Sequence, residues 1–162
     1  SGAAKGLQHA IMITLGTGIG GALLIHGKVF HGNSGFAGEV GHVVIDRHGP
    51  PCACGGRGCW ELYASSQAFR DAPHTVQDAK LWDEFGTHLG IGIASLVNVL
   101  GIEDIIIGGG LSNAWAQFEP AMHREIPKRT YIETASRIRV HRAQLGDAAG
   151  ILGAAAFSGG PQ

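Results

Sequence analysis

The sequence predicts a three-layer α/β domain built on a mixed sheet. Three observations lead there. Short apolar runs separated by glycines fill the first third of the chain. A long stretch with apolar residues at three- and four-residue steps follows. A buried strand, a helix, a strand and a small-residue helix then alternate to the end. Strands gathered ahead of the first long helix exclude a doubly wound nucleotide fold, in which helices alternate with strands from the outset. At 162 residues and 44% hydrophobic, the chain can bury one core without staples, and disorder is excluded.

Each element has a local reason. His9 to Leu15 is a short apolar run of the kind found in buried strands. Gly16-Thr17-Gly18-Ile19-Gly20-Gly21 breaks it, and Ala22 to His26 resumes it. A third extended piece begins at Val29. The β-branched triplet Val43-Val44-Ile45 predicts another strand. Composition from Trp60 to Phe69 turns helical. Trp82, Phe85, Leu89, Ile93, Leu96 and Leu100 form the apolar stripe of a helix whose middle is weakened by Gly90 and Gly92. Asp104 to Ile107 predicts a buried strand ending in Gly108-Gly109-Gly110. Ser112 or Asn113 can cap a helix running to Ile126. Ile138 to Ala143 alternates as a strand does. Asp147 to Phe157 predicts a tightly packing small-residue helix, and the Gly159-Gly160-Pro161-Gln162 tail is expected to be loose.

Charge narrows the function classes. Lys and Arg total 12 against 13 Asp and Glu, a formal charge of −1. No basic run offers the stripe that a phosphate backbone requires, so direct nucleic-acid binding is not expected. A polybasic membrane anchor is missing too. Ala10 to Ile25 carries no charge over 16 residues, but this falls short of the ~20 that span a bilayer. The first residues do not resemble a secretory leader. The expectation is a cytoplasmic protein without a membrane partner. Only 15% of residues are charged, below the ~25% of typical soluble domains, which predicts a surface partly covered by another domain or subunit.

All three cysteines lie between positions 52 and 59. An odd number cannot pair fully within the chain, and Cys52 and Cys54 are too close for an easy bridge. The spacing C-x-C-x4-C over Cys52, Cys54 and Cys59 suits a metal, with Gly55, Gly56 and Gly58 allowing the loop to fold sharply. A nearby His would complete a closed Cys3His zinc site of the structural kind. His42, ten residues before Cys52, and His48, four before it, both qualify, and spacing does not choose. The competing reading is three reduced core cysteines. No C-x-x-C supports a redox motif.

Two glycine turns are candidate ligand loops. Gly16-x-Gly18-x-Gly20 is followed by a strand, so it is not a dinucleotide fingerprint, which needs a helix there. It reads as a hairpin turn whose exposed amides, with the Thr17 hydroxyl, can cradle phosphate oxygens. Gly108-Gly109-Gly110 follows a buried strand and lets a planar or phosphorylated ligand approach the backbone at the strand's carboxyl end. A plain tight turn is the competing reading for both.

Four strings together resemble the ROK family of repressors, uncharacterised reading frames and sugar kinases. Leu15-Gly16-Thr17-Gly18-Ile19-Gly20 is similar to its phosphate hairpin. Gly38-Glu39-Val40-Gly41-His42 with Cys52-Ala53-Cys54-Gly55-Gly56-Arg57-Gly58-Cys59-Trp60-Glu61 resembles its zinc and sugar segment. Ile107-Gly108-Gly109-Gly110-Leu111-Ser112 resembles its adenosine-side turn. Gly146 to Ala155 resembles its closing helix. The likeness covers nearly the whole chain but only the second half of a family member.

The resemblance implies an actin-like ATPase (ribonuclease H-like) lobe, with sugar and ATP in a cleft between two lobes. It implies His42, Cys52, Cys54 and Cys59 as zinc ligands, so His42 rather than His48. It implies Glu39, His42 and Glu61 as sugar contacts. Gly16, Thr17, Gly18, Gly108, Gly109 and Gly110 are then expected on the nucleotide side. Carboxylates suit sugar hydroxyls, accepting two each, and an imidazole that gives one nitrogen to zinc must donate from the other. The family's general base is an Asp in an Asn-Asp segment ahead of the phosphate hairpin, so no catalytic residue is expected within residues 1–162. These residues read as a single C-terminal-type lobe lacking its N-terminal partner. The leading expectation is the second lobe of an ATP-dependent hexose kinase of glucokinase type. It would use ATP with Mg, a hexose or N-acetylhexosamine, and a structural zinc, and would form a homo-oligomer. The sugar-sensing effector domain of a ROK repressor and a non-catalytic zinc-stabilised module are the alternatives. The stretch from Ser65 to Gly90 is short for the family, which implies missing helical cover or a missing dimer contact.

Overall fold

The structure is a computed structural model that describes residues 3–70 and 78–143. Its centre is a five-stranded mixed sheet. The strands are β1 (Ala10–Leu15), β2 (Ile19–Ile25), β3 (Lys28–Phe30), β4 (Asp104–Gly108) and β5 (Arg139–Arg142), in the order β3-β2-β1-β4-β5. β1, β2 and β3 form an antiparallel meander, while β4 joins β1 in parallel and β5 joins β4 in parallel. Register runs from Ile11 opposite Ile105 to Thr14 opposite Gly108. The helices are α1 (Ala79–Leu100), α2 (Trp115–Arg129) and the short α3 (Ile132–Ala135). None among the described residues is long and apolar enough to cross a membrane.

Alternation along the strands places the core. Ile11, Ile13 and Leu15 of β1 join Ile105 and Ile107 of β4 on one face, covered by Trp82, Phe85, Leu89 and Ile93 of α1 and Phe118, Met122 and Ile126 of α2. Each fully buried large apolar side chain stabilises the fold by roughly 1.5–3 kcal/mol. Phe69, Trp82, Phe85 and Phe118 stack or meet edge-on with ring centroids 4.7–6.2 Å apart, a geometry favoured by their quadrupoles. The expected helix from the Trp82 stripe is therefore α1. Asp78 caps it by accepting the Lys80 amide at 2.9 Å.

Three expectations differ. Val43-Val44-Ile45 forms no ladder strand; Val44 makes one isolated bridge to Cys59, because this segment lines the cysteine loop rather than a sheet edge. Trp60 to Phe69 is two 3-10 turns, Trp60–Leu62 and Ser66–Phe69, with Ser65 extended between them. Ser112 and Asn113 lie inside a 3-10 turn, Gly110–Ala114, and α2 begins after it without a side-chain cap. The expected Asp147–Phe157 helix and the glycine tail lie outside the described residues.

Candidate functional site

β1 and β4 run parallel and adjacent, so the turns that follow them leave the same edge of the sheet. The hairpin Gly16-Thr17-Gly18 closes with the Gly16 amide donating to the Gly18 carbonyl at 3.1 Å. Beside it, Gly109 adopts φ +87°, and a Cβ there would drive into the Leu15 backbone. Ligands of open α/β sheets gather at such carboxyl ends.

A cavity of about 400 Å³ opens there, lined by Gly16, Thr17, Gly18, Gly109 and Gly110 together with Glu39, His42 and Glu61. Eight of the residues that the sequence singled out thus face one space. Gly108 does not line it; it ends β4, where its Cβ position faces Ala143. Leu15, Ile19 and Gly20 of the same hairpin string line the cavity as well, and so does Thr14, which was missed. Thr14 was findable, since strand alternation in Ile11-Met12-Ile13-Thr14-Leu15 aims a lone hydroxyl away from the core face.

Glu39 and His42 come from the 3-10 turn Val40–His42 and its N-terminal neighbour. Glu39 Oε2 lies 3.8 Å from His42 Nε2. The other ring nitrogen, Nδ1, lies 3.7 Å from Glu61 Oε1 and 3.8 Å from Cys52 Sγ. Glu61 is nearly buried at 14% side-chain exposure, against 66% for Glu39. Its carboxylate sits so close to Gly18 that any Cβ there would collide with Oε2. Hairpin and carboxylate are therefore packed against each other, and Gly18 is what permits it.

Glu61 is aimed by its neighbours. The Trp60 indole N–H donates to the His88 carbonyl on α1 at 2.9 Å, and its ring lies against Gly92. The weak centre of α1 is thus where Trp60 is seated. Tyr63 donates to Asp46 Oδ2 at 3.1 Å and packs against the His88 ring.

His42, Cys52, Cys54 and Cys59 bring their four donor atoms within 4.8 Å of one another. His48 stands apart, its amide donating to Asp46 Oδ1. The loop folds back through the Cys52 amide to the Gly56 carbonyl and the Gly58 amide to the Pro50 carbonyl. No cysteine is in a disulfide. The donor set fits zinc. Bonds of about 2.3 Å to sulfur put tetrahedral neighbours about 3.8 Å apart, and Cys54–Cys59 at 3.6 Å and Cys52–His42 at 3.8 Å match that spacing. Electrostatics sets the cost of ionising the three thiols together. Burial, then the two neighbouring thiols, pushes the Cys59 thiol up to about 12. The Gly56 amide, donating to Cys54 Sγ, holds that thiol below its ordinary value. Three sulfurs this close ionise together only around a cation.

The chain is similar to known proteins. The ROK family model matches residues 1–159. The chain is 31% identical to the glucokinase of Thermotoga maritima, over 96% of this chain and 60% of that protein. It is 31% identical to the xylose repressor of Bacillus subtilis, over 94% of this chain and 44% of that protein. The crystal structure of a ROK family glucokinase from Streptomyces griseus, in complex with glucose and AMPPNP, superposes with a TM-score of 0.80 at 28% identity, covering 96% of this chain and 62% of that one. The chain spans about half the length of the curated relatives it matches. Its sheet and helices are those of the actin-like ATPase fold of ROK sugar kinases. The family match along nearly the whole chain, with this fold beneath it, makes the protein a member of the ROK family.

Proposed function

We propose that residues 1–162 are the second lobe of an ATP-dependent hexose kinase of glucokinase type. The observation that carries this reading is the single cavity in which a glycine hairpin, two carboxylates and an imidazole meet. Glu39 and Glu61 accept hydrogen bonds from sugar hydroxyls. His42 keeps Nδ1 toward the sulfurs and holds its proton on Nε2, beside Glu39, where it donates into the cavity. With the Gly16 amide closing the hairpin, the amides of Thr17 and Gly18 and the Thr17 hydroxyl hold phosphate oxygens, and Gly109 and Gly110 let the nucleotide lie against the backbone. The ring of donors in His42, Cys52, Cys54 and Cys59 would hold zinc, which when bound supplies a fixed positive centre for the loop.

Phosphoryl transfer depends on positioning and charge stabilisation more than on covalent chemistry. The sugar hydroxyl oxygen bonds to the terminal phosphorus of MgATP as the bond to ADP breaks. Its proton passes to a carboxylate base supplied by the companion lobe. Hexoses and N-acetylhexosamines are the substrate class. Sugar-dependent ADP release by the intact protein tests this, and Glu61→Gln is expected to lower kcat/KM by roughly 100-fold, the scale of losing one preorganised polar contact in the transition state. No turnover with any aldohexose or N-acetylhexosamine would overturn it.

Likeness to the xylose repressor favours a second reading, a sugar-sensing effector domain without catalysis. Sugar binding with no ADP release, and sugar-dependent release of DNA by the intact protein, would favour that reading.

A further inference from the structure

We propose that Ser65 is a positioning residue that couples the sugar side of the cavity to its phosphate side, through one buried hydroxyl shared between the backbones of Glu61 and Thr17. This deepens the kinase reading and rests on it. Ser65 is fully buried and stands extended between two 3-10 turns, at φ −132° and ψ −172°. Its Oγ lies 2.6 Å from the Glu61 carbonyl and 3.1 Å from the Thr17 carbonyl. The same oxygen accepts the Gln67 amide at 3.1 Å.

A serine hydroxyl has one proton. The Glu61 and Thr17 carbonyls compete for it, so anything that strengthens one bond weakens the other. Two further bonds tie the residues after Ser65 to the same hairpin. The Ser66 amide donates to the Gly16 carbonyl at 2.9 Å, and the Gln67 side-chain amide donates to the Thr17 carbonyl at 3.3 Å. Three consecutive residues thus strap the turn that carries Glu61 to the hairpin that carries Thr17. A shift of the hairpin onto a phosphate reaches the Glu61 turn through this strap. The hydroxyl with two acceptors is a small two-state element that both ligands bias, and such coupling is reciprocal.

The test uses the intact protein. Glucose affinity is measured by calorimetry with and without a non-hydrolysable ATP analogue, for the wild type, Ser65→Ala and Gln67→Ala. The expected result is that the analogue tightens glucose binding on the order of tenfold in the wild type. Ser65→Ala brings that factor to about one, with less than about threefold change in glucose affinity without nucleotide. Gln67→Ala, at a partly exposed site, lowers the factor by less and decides the matter should Ser65→Ala not fold. A uniform structural weakening would leave the ratio untouched. Wild-type coupling retained in the folded variants, or a wild type that binds both ligands without coupling, overturns the inference and leaves the kinase reading standing. A wild type that binds no glucose, other aldohexose or N-acetylhexosamine overturns both; where an N-acetylhexosamine binds and glucose does not, that sugar replaces glucose in the same measurement.

Discussion

The helix-backed sheet and the 42–59 loop are neighbours held by different forces. The sheet is closed by apolar burial, with Ile11, Ile13, Leu15, Phe85 and Phe118 all sealed from solvent. The loop has Cys52 and Cys59 buried but Cys54 exposed, and it is held by a few backbone bonds and a ring of four donors. The difference teaches where ligand sensitivity resides. The core is closed by its own side chains, while on the proposed reading the aim of His42 would depend on zinc held by the four donors.

Four experiments break or sharpen that contrast. Phe118→Ala should cost about 3–5 kcal/mol of unfolding free energy by urea denaturation, because its ring contacts both Phe85 and Trp82. It should leave metal content per folded molecule unchanged. Metal removal by a chelator should do the reverse. Sugar affinity by calorimetry should fall roughly 10–100-fold, the scale for losing the support behind a ligand-binding group, while far-UV circular dichroism stays native. Trp60→Phe tests the join between the regions. It deletes the indole donor to the His88 carbonyl, and should cost about 1 kcal/mol by urea denaturation.

The smallest effect concerns the opposite end of the sheet. Arg139 grips Asp104 with two hydrogen bonds of 2.8 and 2.6 Å, and this, with His141, holds the Asp104 carboxyl below its ordinary 3.8. A carboxyl lowered in the folded state lends stability that is present above 3.8 and is lost as pH falls through the folded value. The urea midpoints of wild type and Asp104→Asn should therefore differ most at neutral pH and converge in acid below 3.8.

The sequence carried most of this architecture in two signals. The short apolar run from His9 to Leu15 marked β1, and the Trp82-to-Leu100 stripe marked α1, because both elements pack into the same core. The cysteine loop was legible for another reason. Three thiols within eight residues have few uses, although the choice of His42 needed the family likeness and then the geometry. Ser65 was not legible. A serine in a helix-like composition gives no sign that its hydroxyl reaches a carbonyl 48 residues away. Val43 to Ile45 misled because β-branched residues suit any extended backbone, and here the extension serves a loop. The Asp104–Arg139 pair was hidden too, since it depends on β5 pairing with β4 in a register that brings residues 35 apart in sequence side by side.

The parallel pairing of β1 with β4 has a consequence for how binding preferences can change. Neighbouring strands stand about 4.8 Å apart whatever their side chains, so the two glycine turns work as the fixed jaws of a gauge. On the proposed reading, substitutions elsewhere on the rim would retune which ligand the cavity takes. The opening between Thr17 and Gly109 is inherited from the sheet itself, and divergence of specificity has to proceed around it.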